Sequence, residues 1–268
     1  VQSLALVYVG LLVLAPLAHV LERARPLSTE PRTRSLGTDA TYWIVTPLVT
    51  GVMTRGAVVG LALLVVWARG EGTVPARALE ALSDLDPFGI GRLPLAAQAP
   101  LGLVLADLLS YLSHRARHAL RPLSALHDVH HAPDGLSWSA AARMHPLDDL
   151  LDNTFVFFPL LVLGFSPLLV LTLGPLLLLH TIYLHANVRL SLGPLEAILS
   201  TPAFHRAHHA ASGVPGNFGG VFTFWDRLFG TLRPEGPTPI TGLPQDAALP
   251  ETWLGQLVVP ITRALRRR

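Results

Sequence analysis

The chain has 268 residues, half of them hydrophobic and only 14% charged, with a mean hydropathy of +0.46. That is more apolar than a soluble domain of this length needs, so an integral membrane protein is the first reading. A net charge of +2, with all 20 basic residues arginine and scattered, argues against a nucleic-acid partner; the lack of cysteine excludes disulfides, thiolate zinc sites and iron–sulfur clusters, leaving nitrogen and oxygen as metal ligands.

A membrane crossing takes about 20 apolar residues. Leu4 to Val20 has that character and ends at Glu22-Arg23-Ala24-Arg25-Pro26; with no basic segment before it and no small-residue cleavage site after it, it reads as a span rather than a signal peptide. Tyr42 to Trp67 is apolar apart from Arg55, which is expected to snorkel or to pair with a carboxylate. Residues 68–98, rich in Pro and Gly, read as a loop, and Leu93 to Leu112 is a third apolar window carrying only Asp107. Between Thr154 and Leu184 lie 31 almost uncharged residues interrupted at Ser166-Pro167 and Gly174-Pro175. Two helices of about 15 residues would each reach roughly 22 Å, short of the ~30 Å core, so a hairpin that dips through most of the bilayer is predicted. A hairpin returns the chain to its starting face, which puts the histidines before residue 154 and those after residue 184 on one side. Arginines number four in residues 21–40, four in 114–152 and eight beyond 186, against three in 68–98, which makes the histidine-rich side cytosolic. Residues 231–252 read as a loop. The stretch from Trp253 has apolar residues at 254, 257, 258, 261 and 265 beside arginines, either an amphipathic helix on the membrane surface or a solvated tail.

Eleven of the twelve histidines fall between His114 and His209. Three segments stand out: His114-Arg115-Ala116-Arg117-His118, His127-Asp128-Val129-His130-His131 and His205-Arg206-Ala207-His208-His209. Residues three and four apart share a helical face, so each segment can aim its imidazoles at a common point. Eight nitrogens exceed what one four- to six-coordinate ion can use, so two metals are the economical reading. A single His-x-x-x-His is commonly polar surface, but surface histidines have no reason to repeat a ligand spacing three times when only His19 lies outside the window.

Taken with its surroundings, this arrangement resembles the fatty acid hydroxylase and sterol desaturase superfamily of membrane oxygenases. Asp107-Leu-Leu-Ser-Tyr111-Leu-Ser-His114-Arg115 is similar to the family's lead-in to its first histidine box, and Arg143-Met-His145-Pro146 to a motif after the second. Leu184-His185-Ala186-Asn187 resembles the segment before the third box, while Asn217-Phe-Gly-Gly and Trp225-Asp226-Arg227-Leu228-Phe229-Gly230-Thr231 resemble the closing signature. The similarity covers roughly residues 93 to 231. It implies an all-α integral membrane protein of transmembrane helices plus a membrane hairpin, with a cytosolic helical cap holding two irons. The implied ligands are His114, His118, His127, His130, His131, His185, His205, His208 and His209. Three regions follow: an N-terminal transmembrane region at 1–92, a catalytic region at 93–235 and a C-terminal tail at 236–268.

Four further residues are expected around the ligands or as additional ligands: Asp107, His145, His180 and Asn187. Ligating histidines donate their second N–H to a carboxylate or carbonyl, and Asp107 shares a helical face with Tyr111 and His114; Asp128, Asp134, Asp148, Asp149 and Asp152 are alternatives, or simply solvated. His145 precedes a proline and so is expected in non-helical backbone, as a supporting or substrate-contacting residue. His180, five positions before His185, faces the same metal only if the helix is distorted there, and is otherwise a hydrogen-bonded histidine. The expected function is an O₂-dependent di-iron oxygenase, with zinc able to occupy the site after purification, that hydroxylates or desaturates a fatty acyl, sterol or other isoprenoid lipid. With no dinucleotide fingerprint and no haem domain, electrons must come from a separate donor of ferredoxin or cytochrome b5 type with its reductase. The alternative is a histidine-rich divalent-metal transporter, although transporters carry their ligands near the middle of the spans, often in repeated halves. A structural zinc protein or intramembrane hydrolase lacks support, because no His-Glu-x-x-His occurs.

Overall fold

A computed structural model describes residues 2–29, 36–70, 85–211, 214–233 and 240–266; parts of the expected loops at 68–98 and 231–252, and the last two arginines, lie outside the described residues. The helices are α1 (Gln2–Ala24), α2 (Leu36–Ala68), α3 (Leu95–Ala119), α4 (Arg121–His131), α5 (Pro146–Val162), α6 (Pro167–His185), α7 (Pro202–His208), α8 (Phe224–Leu228) and α9 (Trp253–Leu265). Among the described residues there is no β-strand beyond isolated bridges. Helix suits a chain this apolar, because lipid offers no hydrogen-bond partner and each backbone group must be satisfied within its own segment. Among the described residues, four helices, α1, α2, α3 and α6, are long and apolar enough to cross a membrane. Proline stands in the first turn of α4, α5, α6 and α7, where its missing N–H costs no helical bond.

The hairpin is formed by α5 and α6, which turn at Leu163 to Ser166; the second expected break does not occur, since α6 runs unbroken through Pro175. With 17 and 19 residues the two helices reach about 25 and 28 Å, more than the partial dip expected. The tip confirms the greater depth. Ser166 donates its N–H to Gln98 in the first turn of α3 at 2.8 Å, and Gly164 packs against Asp86. The tip therefore lies level with the start of α3, at the end of the molecule remote from the histidines.

The other end is a cap. α1 runs toward it, since Glu22 accepts from Trp138 and Asn187; α2 starts in it, since Asp39 binds Arg143; α3 enters it with His114 and His118. Between the spans the helices approach closely through small residues: a side chain at Gly10 would collide with Leu179 of α6, and one at Gly102 would press on Phe165 and Leu169. Ala106, Val156, Leu160, Phe165, Val170 and Leu173 fill the space between α3 and the hairpin. Arg55 is exposed on α2 and folds back along its own helix over Gly51, in keeping with snorkelling. α9 is no loose tail. Tyr42 of α2 donates to Gln256 at 3.0 Å, and the Leu257 carbonyl accepts from His145 at 3.0 Å, while Leu254, Val258, Ile261 and Leu265 form an outward apolar stripe.

Candidate metal centre

Nine histidines meet inside the cap, in two groups whose ligand atoms all lie within 4.8 Å of one another: His114, His118, His127, His131 and His208 form the first, and His130, His185, His205 and His209 the second. The expectation that each sequence segment serves one point is corrected by this division. On α4, His127 and His131 go to the five-histidine group and His130 to the other; on α7 and its C-terminal cap, His205 and His209 go to the four-histidine group and His208 to the other. Helical geometry explains the split, because positions i and i+4 differ by about 40° around the axis, whereas i+3 and i+4 differ by about 100°. Each triplet thus bridges two sites. They adjoin where the His131 and His209 rings stack with centroids 4.3 Å apart.

The hydrogen bonds fix which nitrogen is free. Nδ1 of His114 donates to the Phe218 carbonyl at 3.0 Å, that of His127 to Asp148 at 2.9 Å, and that of His208 to the Gly216 carbonyl at 2.8 Å. In the second group, Nδ1 of His130 donates to the Arg143 carbonyl at 3.0 Å and that of His185 to the Thr181 carbonyl at 2.9 Å. Each such bond leaves a lone pair on Nε2, the tautomer that binds a metal. Those atoms find no protein partner that satisfies them. Nε2 of His114, His118 and His127 is buried without any hydrogen bond. Nε2 of His208 faces Nε2 of His131 at 3.1 Å, and Nε2 of His205 lies 3.1 Å from His209 and 3.4 Å from His185. Lone pairs converging at that range repel unless a proton or a cation lies between them, and a cation can serve all the nitrogens of a group at once, so the side chains fit a pair of metal ions. Neutral nitrogen donors suit iron, zinc, copper or nickel.

Burial, followed by neighbouring imidazoles and Arg117, holds His127, His131, His205 and His209 well below the usual histidine range; His130 follows suit, and His208 is lowered to about 4. All six are neutral at pH 7, ready to bind metal without first losing a proton.

The support around these ligands differs from what the sequence suggested. Asp107 does not touch His114. Its carboxylate accepts from the N–H groups of Val221 and Phe222 at 2.7 and 3.0 Å and from the Trp225 indole at 3.0 Å. It thereby pins the loop whose Phe218 carbonyl orients His114, and Asp226 holds the same loop through Phe218 and Gly219, both at 2.8 Å. The carboxylate that binds a histidine directly is Asp148, fully buried and paired with Arg117 at 3.5 Å. His145 stands outside both groups: it has the expected extended backbone, but Nδ1 caps α5 by accepting from Leu147 and Nε2 binds the Leu257 carbonyl. His180 is also outside, packed beside Tyr183 with ring centroids 5.6 Å apart, because the unbroken α6 turns it away from His185. Asn187 binds no histidine; its side chain clasps Ser28 and accepts from Arg206 at 3.2 Å. Glu22, Asp39 and the carbonyls of Gly216 and Thr181 had no sequence signal, and Phe218 and Arg143 fell within family-like motifs without an assigned role, since backbone acceptors and partners a hundred or more residues away leave no local pattern.

Comparison with known proteins adds an independent line. Residues 99–231 match the model of the fatty acid hydroxylase family. The chain is 33% identical to an alkylglycerol monooxygenase of Danio rerio over 57% of this chain and 34% of that protein, and 31% identical to an ornithine lipid hydroxylase of Rhizobium tropici over 81% and 65% respectively. It is 35% identical to methylsterol monooxygenase 1 of Rattus norvegicus over 48% of this chain and 44% of that protein. The chain thus spans from about a third to just under two thirds of the length of these relatives. No solved structure is a significant match.

Proposed function

Through residues 99–231 the chain belongs to the fatty acid hydroxylase family, and we propose that it is a membrane-embedded di-iron oxygenase that hydroxylates a lipid. The observation that carries this reading is the division of nine imidazoles, eight buried and His118 partly so, into groups of five and four whose ligand nitrogens converge within 4.8 Å of one another. Two irons held there supply the redox chemistry that couples dioxygen to oxidation of an unactivated C–H bond.

The chain's own residues set the conditions. All nine ligands are neutral, so the bound pair keeps its full positive charge in a site walled by buried side chains. His114, His127, His130, His185 and His208 are locked in one tautomer, so their nitrogens need no rearrangement to hold metal. In this reading an alkyl chain reaches the centre from between the spans beneath the cap, and the cap keeps water from it. The balance R–H + O₂ + 2e⁻ + 2H⁺ → R–OH + H₂O requires a separate electron donor, of ferredoxin or cytochrome b5 type. The names of the three relatives, an alkylglycerol and a methylsterol monooxygenase and an ornithine lipid hydroxylase, favour hydroxylation over desaturation and a lipid with a polar end. The cap faces the cytosol, in keeping with the arginine distribution, and the outward stripe of α9 rests on the membrane surface at the level of the first turns of α2.

The test is a comparison of lipid extracts by mass spectrometry. Cells expressing the chain with a competent donor should gain a lipid species carrying one extra oxygen, labelled when ¹⁸O₂ is supplied. His130→Ala and His208→Ala should abolish it. An unlabelled product, or none from protein carrying two irons, would refute the reading.

A further inference from the structure

We propose that the two N-terminal spans are working parts of the metal centre: Glu22 of α1 and Asp39 of α2 are positioning residues that fix the four-histidine site. The proposal rests on the reading that His130, His185, His205 and His209 hold a metal ion. Both carboxylates lie before residue 99, outside the segment that matches the family.

The connections run through two short relays. Asp39 is 1% exposed, and its two oxygens accept from Arg143 Nε and Ser139 Oγ, each at 2.5 Å. Trp43, one turn further along α2, donates to the Ser139 carbonyl at 2.9 Å. These bonds clamp the 3₁₀ turn Trp138–Ala142 and the residue after it, and that residue, Arg143, presents the carbonyl that takes the Nδ1 proton of His130. Glu22 holds the other side. It accepts from the N–H groups of Trp138 and Asn187, both at 2.8 Å, and from Ser137 at 3.3 Å. Asn187 lies two residues past His185, and its amide oxygen accepts from Arg206, the neighbour of His205; Arg206 also donates to the Leu136 carbonyl at 2.8 Å. Thus the backbone around three of the four ligands, His130, His185 and His205, is anchored on carboxylates of α1 and α2.

The five-histidine site is supported differently. Its partners are Phe218, Gly216 and Asp148, braced by Asp107 and Asp226, and all lie within residues 99–231. A perturbation in α1 or α2 should therefore reach one metal and spare the other. The carboxylate of Asp39 suits positioning more than stability. A buried ion pair gains little net stability over apolar packing, but it fixes one arrangement of the groups it joins.

The experiment is an anaerobic titration of the metal-free, full-length protein in detergent with ferrous iron, comparing wild type with Asp39→Asn and Glu22→Gln. Both variants keep side-chain size and remove the charge. Outer carboxylate changes typically weaken metal binding by about 10- to 100-fold. Wild type should bind two irons, and each variant should bind one iron as wild type does and the other about 10- to 100-fold more weakly. The retained iron should vanish when His118→Ala is added and persist when His205→Ala is added. Should Asp39→Asn leave Arg143 too poorly paired to fold, Glu22→Gln decides alone, because its donors are neutral. Two irons bound as in wild type, or both weakened together in protein of unchanged melting temperature, would overturn the proposal. Wild-type protein that takes up fewer than two irons would instead refute the di-iron reading beneath it.

Discussion

At the residue scale, a second ring nitrogen bonded within the protein marks five of the nine clustered histidines, His114, His127, His130, His185 and His208. His127 donates its Nδ1–H to the carboxyl group of Asp148, so Asp148→Asn replaces a carboxyl acceptor by an amide and loosens the tautomer. We expect iron affinity of the five-histidine site to fall by about 10- to 100-fold, read as iron retained after dialysis against a chelator. His145 gives the opposite case. Both its ring nitrogens are engaged with backbone groups, so His145→Ala should keep both irons and lose the cap and the bond to the Leu257 carbonyl, about 2 kcal/mol of stability; loss of an iron would show that His145 belongs to the centre. Protons compete with the fold here in a defined direction. Six imidazoles are held below the usual histidine range, His208 at about 4, so as pH falls below about 6.5 the unfolded chain takes up protons that the folded chain refuses. Asp128 and Asp149, pushed up to about 6 by burial, and Asp148, pushed up to about 7, work in the opposite sense, and the more numerous imidazoles outweigh them. The melting temperature of the metal-free protein should therefore fall between pH 7 and pH 4, and bound iron should delay the fall. A flat profile would mean that the imidazoles are solvated. Eight of the histidines were legible because their spacing is local, and His185 only through the resemblance of its segment to the family, whereas Asp107 was misplaced because its partners, Val221, Phe222 and Trp225, lie more than a hundred residues away.

At the element scale, hydropathy located α1, α2, α3 and the hairpin, because about 20 apolar residues in a row have few alternatives to a span. It did not give the hairpin's depth. That depends on Ser166 meeting Gln98 and Gly164 meeting Asp86, tertiary contacts with no periodic signature. Pro175 misled in another way, since a proline inside a packed apolar helix is tolerated. The chain's lack of cysteine makes depth measurable with single cysteines and an impermeant thiol reagent. Asp86→Cys and Ser166→Cys should react from one side of the membrane and Arg121→Cys from the other; Ser166→Cys reacting with Arg121→Cys would restore the shallow hairpin. Packing at Gly10 offers a second test. A side chain there collides with Leu179, so Gly10→Leu should destabilise the α1 and α6 contact by about 1–3 kcal/mol, seen as a lowered melting temperature in detergent, while Gly56→Leu, in open space on α2, should not.

At the scale of the whole molecule, the spans do more than anchor a soluble catalyst. The cap helices α4 and α7 carry His127, His130, His131, His205 and His208, with His209 at the C-terminal cap of α7, and five longer helices bring the rest or its supports to the same end: α3 and α6 carry histidines themselves, α5 carries Asp148, and α1 and α2 carry Glu22 and Asp39. The transporter alternative fits this plan poorly, because the nine clustered histidines sit together at the cap end of the spans and the relatives are lipid monooxygenases and hydroxylases. The central claim is that two irons share this centre, one per histidine group. Elemental analysis of protein produced with iron and purified without oxygen tests it most directly. Two irons per chain are expected, falling to one in His118→Ala and to one in His205→Ala; a single iron per wild-type chain, removed by either substitution, would contradict it.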